Sequence, residues 1–291
     1  NPDMYGLKCE SEAAKAYYDS IFALYAEWGV DFLKYDYCFH PTTVRPDTLY
    51  KRMSLALANC GRDILFSACS WGSDNTKQWI KETGANMWRS TGDINDSWES
   101  IKLLAQSQLK AQEYNGKGCF NDMDMLVVGM NGNGNVGLSG CTETQYKTHF
   151  SLWAFLQSPL MIGCDVRNMT PETIRLLTNR GVLAINQDSG CRQPFSVGGS
   201  VNYACGDMED SFIWAKLLDN GDLAVGMFNL SDSPRNMYLT MSDLALPRYC
   251  HRKLEMHELW SGETCTTVDE RFMTRVEAYD CKLYRCKIVK K

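Results

Sequence analysis

The chain has 291 residues, of which 44% are hydrophobic and 22% charged, a composition typical of a folded protein with one large domain or two ordinary ones. Its 30 basic and 35 acidic residues give a net charge of −5 without a basic stripe, which argues against a nucleic-acid partner. No apolar run is as long as a membrane span, and the four histidines stand apart from cysteine pairs. We therefore expect neither a membrane segment nor a zinc site.

The first two-thirds of the chain alternates helical patterns with short apolar segments. Six segments have a helical pattern: Ser11–Trp28, Pro46–Asn59, Lys77–Thr83, Trp98–Tyr114, Glu143–Gln157 and Pro171–Asn179. Five apolar segments are predicted strands: Val30–Tyr35, Asp63–Ala68, Asn86–Arg89, Met123–Val128 and Leu160–Cys164. Regular alternation of this kind predicts a parallel sheet with helices outside, and we assign it to a domain over residues 1–192.

The pattern changes after about Gln193, where turns rich in Gly and Asn separate short alternating strands. The predicted strands are Phe212–Leu217, Leu223–Asn229, Asn236–Thr240, Leu254–Leu259, Arg275–Ala278 and Cys281–Ile288. We predict a second domain over residues 193–291, an antiparallel β-sandwich.

Polar side chains follow the predicted parallel strands, and Asp36, Arg89, Asp93, Asp122 and Asp124 are examples. In a (β/α)₈ barrel the active site lies on this face, at the carboxyl ends of several strands. The fold class predicted is therefore α/β, with part of a barrel followed by the β domain. A closed barrel needs eight strands, whereas only five are predicted here.

Two carboxylates on one barrel face suggest glycoside hydrolysis. Lys34 and Asp36 share one face of a strand, and Lys34 would favour the ionised form of Asp36 that a nucleophile needs. Asp93, in the loop after Arg89, is the candidate acid/base, although a nearby Arg89 opposes that role unless it turns towards substrate. A structural ion pair at a sheet edge is the alternative for Lys34 and Asp36, and a turn-forming aspartate is the alternative for Asp93.

Two other motifs have simpler interpretations. Asp96 precedes a predicted helix by two residues, with Glu99 three positions on, and we interpret it as a helix cap. The Gly132–Gly137 segment "GNGNVG" resembles a dinucleotide-binding motif, but the next helix starts only after Cys141. We therefore expect a loop and no cofactor.

The ring of Trp71 is a candidate platform for stacking against a sugar ring. A position in the hydrophobic core, without a functional role, is the alternative for Trp71.

Six segments in order resemble glycoside hydrolase family 27, the α-galactosidases and α-N-acetylgalactosaminidases of the melibiase group. They are "DFLKYDYC", "SACSWG", "WRSTGDINDSW", "NDMDMLVVG", "PLMIGCDVRNM" and "AINQD". The resemblance implies a retaining hydrolase on a (β/α)₈ barrel, with Asp36 as nucleophile and Asp93 as acid/base. It implies the following substrate-binding residues: Lys34, Cys38, Ser70, Trp71, Ser73, Arg89, Asp124 and Met125. It also implies a disulfide between Cys9 and Cys38 beside the site.

The sequence departs from the family pattern in two informative ways. About three barrel strands that would precede the first predicted helix are absent, so the resemblance implies that residues upstream of Asn1, or another chain, supply them. Ser70 and Ser73 stand where α-galactosidases of the family usually place Glu and a bulky residue, which makes the site similar to that of the N-acetylgalactosaminidases. Both small residues would leave room at sugar C2.

The resulting hypothesis is a retaining exo-glycosidase that releases terminal α-galactose from an oligosaccharide or glycoconjugate. The alternatives are an α-N-acetylgalactosaminidase and an inactive carbohydrate-binding remnant. The sequence leaves open whether the protein forms a homo-oligomer. The 13 cysteines, an odd number, fit either a secreted or a cytoplasmic protein.

Overall fold

The computed structural model describes residues 6–40, 42–108, 114–134, 137–197, 210–247 and 251–290. The chain forms two compact units. The first unit comprises Asn1–Asp93 and Tyr114–Asp124, and the second comprises Ile94–Glu113 and Met125–Lys291. In the described ranges, no helix combines the length and apolar character needed to cross a bilayer.

The first unit alternates strands with helices. Its strands are β1 (Phe32–Asp36), β2 (Leu65–Cys69), β3 (Met87–Arg89) and β4 (Phe120–Asp122). Its helices are α1 (Glu12–Glu27), α2 (Pro46–Asn59) and α3 (Thr76–Trp79), with 3₁₀ turns at Ser73–Asn75 and Ile80–Thr83. The strands form one sheet in the order β1-β2-β3-β4, and every neighbouring pair is parallel. The predicted parallel βα arrangement is confirmed.

Local sequence explains where the first helices begin. The Ser11 side chain caps α1 by accepting a hydrogen bond from the Ala14 N–H at 3.1 Å. Helix α2 starts at Pro46, whose missing N–H costs nothing in the first turn. Both helices cover a core that includes Phe22, Tyr50, Phe66, Ile80 and Trp88, each no more than 2% exposed.

The fourth predicted strand is wrong in position. The sequence favoured Met123–Val128 because that segment is apolar, but β4 covers Phe120–Asp122. The strand ends because Asp124 adopts φ 82° and its N–H bonds the Asp122 side chain at 2.9 Å. The fifth predicted strand, Leu160–Cys164, is reduced to an isolated parallel bridge between Leu126 and Ile162 in the second unit.

The second unit contains helices and antiparallel sheets. Its helices are α4 (Trp98–Ser107), α5 (Glu143–Phe155), α6 (Pro171–Leu177) and α7 (Arg180–Asn186), with a 3₁₀ turn at Val166–Asn168. Its strands are β5 (Phe195–Ser196), β6 (Ser211–Leu217), β7 (Leu223–Asn229), β8 (Arg235–Thr240), β9 (Arg252–Glu258), β10 (Thr264–Thr266), β11 (Arg271–Val276) and β12 (Cys281–Lys290). A 3₁₀ turn at Met241–Leu244 follows β8.

The strands of the second unit form a sandwich, as predicted. One sheet has the order β10-β9-β12-β7-β6-β5, and β11 pairs with β8 in a second sheet. Side chains of both sheets share one core, in which Met227 and Met256 of the larger sheet meet Leu239 and Val276 of the smaller one. Helix α7 and strands β5 and β10 were not predicted. Helix α7 has a recognisable cap, because Asn179 Oδ1 accepts from the N–H groups of Gly181 and Val182.

Candidate active site

A row of four side chains crosses the sheet of the first unit at the carboxyl ends of its strands. Asp36 of β1 is the register partner of Cys69 in β2, Cys69 is the partner of Arg89 in β3, and Arg89 is the partner of Asp122 in β4. Register partners stand on the same face of a sheet, about 4.8 Å from one strand to the next. The row therefore places an acid, a thiol, a cation and a second acid side by side.

The predicted pair on β1 is accessible. Lys34 and Asp36 are exposed and lie two residues apart, on the same face of the strand. The Asp36 Oδ1 accepts a hydrogen bond from the Tyr37 N–H at 3.0 Å. The positive charge of Lys34 acts on both Cys69 and Asp122 and lowers the pKa of each group.

The thiol of Cys69 is fully buried, and Cys69 is the register partner of Asp36 on the neighbouring strand. Burial raises the pKa of the thiol to about 12, and the neighbouring Asp36 acts in the same direction. The positive charges of Arg89 and Lys34 oppose these effects. Cys69 is therefore a protonated donor at neutral pH.

Arg89 is the centre of the polar network. It is only 2% exposed, and its Nη2 lies 3.0 Å from Asp93 Oδ1 and 3.0 Å from Asp124 Oδ2. The same nitrogen also donates to the carbonyls of Thr91 at 3.2 Å and Gly92 at 2.9 Å. The Asp93 side chain is 80% exposed and that of Asp124 only 15%. Arg89 thus fixes the loop that presents Asp93 to solvent.

Asp122 belongs to the site although it was not assigned a role from the sequence. It is 7% exposed, and burial raises the pKa of its carboxyl to about 6. Arg89, the Asp124 N–H and Lys34 oppose that rise, whereas the negative charge of Asp124 adds to it. The paired acids in "NDMDM" were the available signal, but the sequence could not tell which of the two is buried.

The loop after β2 contains three predicted substrate-binding residues, and these differ in how deeply they are buried. Ser70 is fully buried, and its hydroxyl lies 2.6 Å from that of Thr76. Trp71 is partly buried against the core of the first unit, and Ser73 is exposed. Gly72 is required between them, because it has φ +76° and a Cβ there would lie 2.4 Å from the Ser90 carbonyl oxygen.

Tyr37 anchors the same loop and was missed by the sequence argument. Its hydroxyl donates to Asp74 Oδ2 at 2.9 Å, and its ring stacks on His40 with centroids 3.6 Å apart. Because Tyr37 directly follows Asp36, this contact ties the end of β1 to the loop after β2. No sequence motif marks such a long-range contact.

The remaining predicted residues are Cys9, Cys38 and Met125. Cys9 is a buried free thiol and Cys38 an exposed one, so the predicted disulfide is not formed in this structure and stays a prediction. Met125 is the first residue of the second unit after β4, and its Sδ packs near Gly163 there. The structure thus brings together Lys34, Asp36, Arg89, Asp93 and Asp124 within the first unit.

The prediction that Asp96 caps a helix is wrong by one residue. Ser97 is the cap of α4 and accepts from the Ser100 N–H at 3.2 Å. Asp96 is 1% exposed and accepts hydrogen bonds from the N–H of Gly132 and the hydroxyl of Tyr146, each at 2.8 Å. It therefore anchors the glycine-rich segment, and α5 begins after that segment at Glu143, as predicted.

Parallel βα units with carboxylates at their strand ends, followed in sequence by an antiparallel β-sandwich, are the architecture of a class of glycoside hydrolases. A family model described as alpha galactosidase A matches residues 3–188. A second, described as the alpha galactosidase C-terminal beta sandwich domain, matches residues 209–286. The chain therefore belongs to the melibiase group of glycoside hydrolase family 27, and the predicted family and fold class are confirmed.

Individual relatives agree with this assignment. Alpha-galactosidase 3 of Arabidopsis thaliana is 37% identical over 262 residues, which cover 90% of this chain and 56% of that protein. An alpha-galactosidase of Coffea arabica is 40% identical over 260 residues, covering 89% of this chain and 64% of that protein. The crystal structure of a GH27 β-L-arabinopyranosidase from Geobacillus stearothermophilus has a TM-score of 0.84 at 29% identity, covering 98% of this chain and 64% of that one. The chain thus spans 56% to 64% of the length of these three proteins.

Proposed function

We propose that the protein is a retaining exo-glycoside hydrolase that releases terminal α-linked galactose, with Asp36 as nucleophile and Asp93 as acid/base. The observation that carries the proposal is the placement of two accessible carboxylates after β1 and β3 of one parallel sheet, around the buried Arg89. Retention requires the two carboxyl groups to lie about 5–5.5 Å apart when substrate is bound. Membership of a family whose relatives include alpha-galactosidases supports the choice of substrate.

The proposed reaction has two steps. Asp36 attacks the anomeric carbon while Asp93 donates its proton to the departing glycosidic oxygen, and a covalent glycosyl–Asp36 ester forms. Asp93 then takes a proton from water, the water oxygen attacks the anomeric carbon, and the Asp36 carboxylate leaves. Galactose is released with its anomeric configuration retained, and both carboxyl groups return to their starting states.

The other polar groups would bind the sugar. The charge of Lys34 acts on the row and Asp124 pairs with Arg89, and a cation with a carboxylate can hold neighbouring sugar hydroxyls by charge-assisted hydrogen bonds. Trp71, Cys38 and Met125 stay in the proposed binding set. No cofactor takes part in the proposed reaction.

The test is hydrolysis of p-nitrophenyl α-galactoside by the purified chain, with the first-formed anomer identified by NMR. Release of α-galactose supports the proposal, and release of β-galactose contradicts the retaining mechanism. A β-L-arabinopyranoside belongs in the same panel, because its ring matches α-galactose without the C6 hydroxymethyl group. Binding of galactosides without any turnover would favour the carbohydrate-binding remnant.

An α-N-acetylgalactosaminidase is the second candidate, favoured by the small side chains at Ser70 and Ser73. Ser70 lies buried against Thr76, so an acetamido group would have to use space near the exposed Ser73. The two activities are separated by comparing kcat/KM for the α-galactoside and the α-N-acetylgalactosaminide. A ratio of about 100 in favour of the galactoside, roughly 2.7 kcal/mol, would exclude a pocket open at C2.

A further inference from the structure

In the in-register row Asp36–Cys69–Arg89–Asp122, the buried Cys69 and Asp122 have no role in the proposed reaction, and Cys69 is the one of them that adjoins Asp36. We propose that Cys69 is a positioning residue whose thiol holds the Asp36 carboxylate in the orientation needed for attack. The proposal rests on the proposed function of Asp36 as nucleophile.

The geometry of the row supports this role. Cys69 ends β2 directly beside Asp36, which ends β1, and the two side chains stand on the same face. The Tyr37 N–H donates to the Asp36 Oδ1 at 3.0 Å, and the thiol of the adjacent register partner is the second donor that we infer for this carboxylate. A carboxylate turns easily about its last torsion, so one donor leaves its plane loosely defined and two donors fix it. The remaining lone pairs are then aimed in one direction.

Other groups around the thiol set its electrostatic surroundings. Lys34 on β1 and Arg89 on β3 bring positive charge, and the Asp36 carboxylate brings negative charge. Tyr50 of α2 lies within electrostatic reach of Cys69 and Asp36, and its buried hydroxyl has no hydrogen-bond partner in the described part of the chain. All of these groups are retained when Cys69 alone is changed, so a change in rate or pH profile can be ascribed to the thiol.

Kinetics on Cys69→Ala and Cys69→Ser test the role. We expect kcat to fall about tenfold in Cys69→Ala with KM little changed, because a hydrogen bond to a charged group is lost. The acid limb of the kcat/KM profile should move to higher pH by about half a pH unit, since the donor favours the carboxylate form. Cys69→Ser keeps a donor and should stay within about threefold of wild type, with the acid limb unmoved.

Cys119→Ala is the matched control. Cys119 is another buried thiol of the first unit, 5% exposed, and the charge acting on it is that of Lys81. This variant loses similar packing and should leave the acid limb in place. Equal losses in Cys69→Ala and Cys69→Ser, or an acid limb that moves in neither, would overturn the proposal.

A spectroscopic test does not depend on turnover. The Raman difference between wild type and Cys69→Ala isolates the S–H stretching band of Cys69, and the same difference is recorded in an Asp36→Asn background. We expect the band at higher frequency there, because an amide oxygen accepts less strongly than a carboxylate. An unchanged band would overturn the proposed contact. A shifted band in a chain that hydrolyses no glycoside would support the contact and contradict the proposed function.

Discussion

At the scale of single residues, Arg89 decides how the candidate acid/base Asp93 is presented. The sequence placed Arg89 four positions before Asp93 but could not give its direction. In the structure one guanidinium nitrogen binds Asp93, Asp124 and two loop carbonyls. The buried Arg89 side chain thus holds the loop in place, and the Asp93 side chain stays mostly exposed to solvent.

The proposed roles of the two acids predict different mutant behaviour. Asp36→Asn should abolish turnover of every substrate, because an amide cannot form the glycosyl ester. Asp93→Asn should slow natural galactosides far more than aryl galactosides, since a good leaving group departs without the proton. Steady-state rates on both substrate types measure this. Identical behaviour of the two variants would show that the roles are wrongly assigned.

Buried Asp122 makes stability depend on pH. Its pKa of about 6 lies above the 3.8 of an unperturbed aspartate, so the folded state binds the proton more tightly than the unfolded state does. The stability contributed by protonated Asp122 is complete below about pH 4 and is lost as the pH rises to about 6. The loss amounts to about 3 kcal/mol.

Asp122→Asn removes this titration and keeps an oxygen for the Asp124 N–H. We expect the free energy of unfolding of wild type, relative to this variant, to fall by about 2.5 kcal/mol between pH 4 and pH 7. Urea unfolding of both proteins across that range measures the difference, and other titrating groups cancel in the comparison. A difference that stays constant with pH, or rises, would contradict the raised pKa that burial gives to Asp122.

At the scale of elements, strong periodicity located most of the first unit and failed at strand ends. Helices α1 and α2 and strands β1 and β2 lie within two residues of their predicted bounds. Strand β4 was missed because its apolar neighbour "MDMLVV" has the better strand composition, while the backbone turn at Asp124 is invisible in that composition. Asp96 was misassigned as the cap of α4 because Asp96 and Ser97 are both residues that commonly cap helices, and the sequence does not show which of the two does so.

The residues of the candidate site could be predicted from the sequence about as well as the helices and strands, whereas some of their contacts could not. Lys34, Asp36, Arg89, Asp93 and Asp124 lie near the carboxyl ends of β1, β3 and β4, and parallel strands bring these ends to one edge. The contacts of Cys69 and Tyr37 were not predictable, because they depend on strand register and on a loop closing over the end of β1.

Strand β1 is the edge strand of the sheet in the described part of the first unit. Because Leu65 N–H bonds the Asp31 carbonyl, the amides of Leu33 and Tyr35 point towards β2, and those of Phe32 and Lys34 point to the open edge. Residue-resolved hydrogen exchange should find Leu33 and Tyr35 protected, and Phe32 and Lys34 exchanging fast. Equal protection of Lys34 and Tyr35 would show that a further segment or a second copy pairs with this edge.

At the scale of the whole molecule, the chain combines the parallel βα part and the β-sandwich of its family while spanning 56% to 64% of the length of the relatives compared with it. The prediction that further barrel strands complete the sheet beside β1 therefore stands as a prediction. The central claim concerns residues that the first unit does contain, since Asp36, Arg89 and Asp93 lie within it.

The most direct measurement is covalent trapping with an activated 2-fluoro galactoside, followed by peptide mass mapping. The fluorine slows both steps, and the activated leaving group keeps the first step faster than hydrolysis of the ester, so the glycosyl-enzyme accumulates. We predict one added fluorosugar per chain, attached to Asp36 and absent in Asp36→Asn. Attachment to another carboxylate such as Asp122, or galactoside turnover without any adduct, would contradict the account.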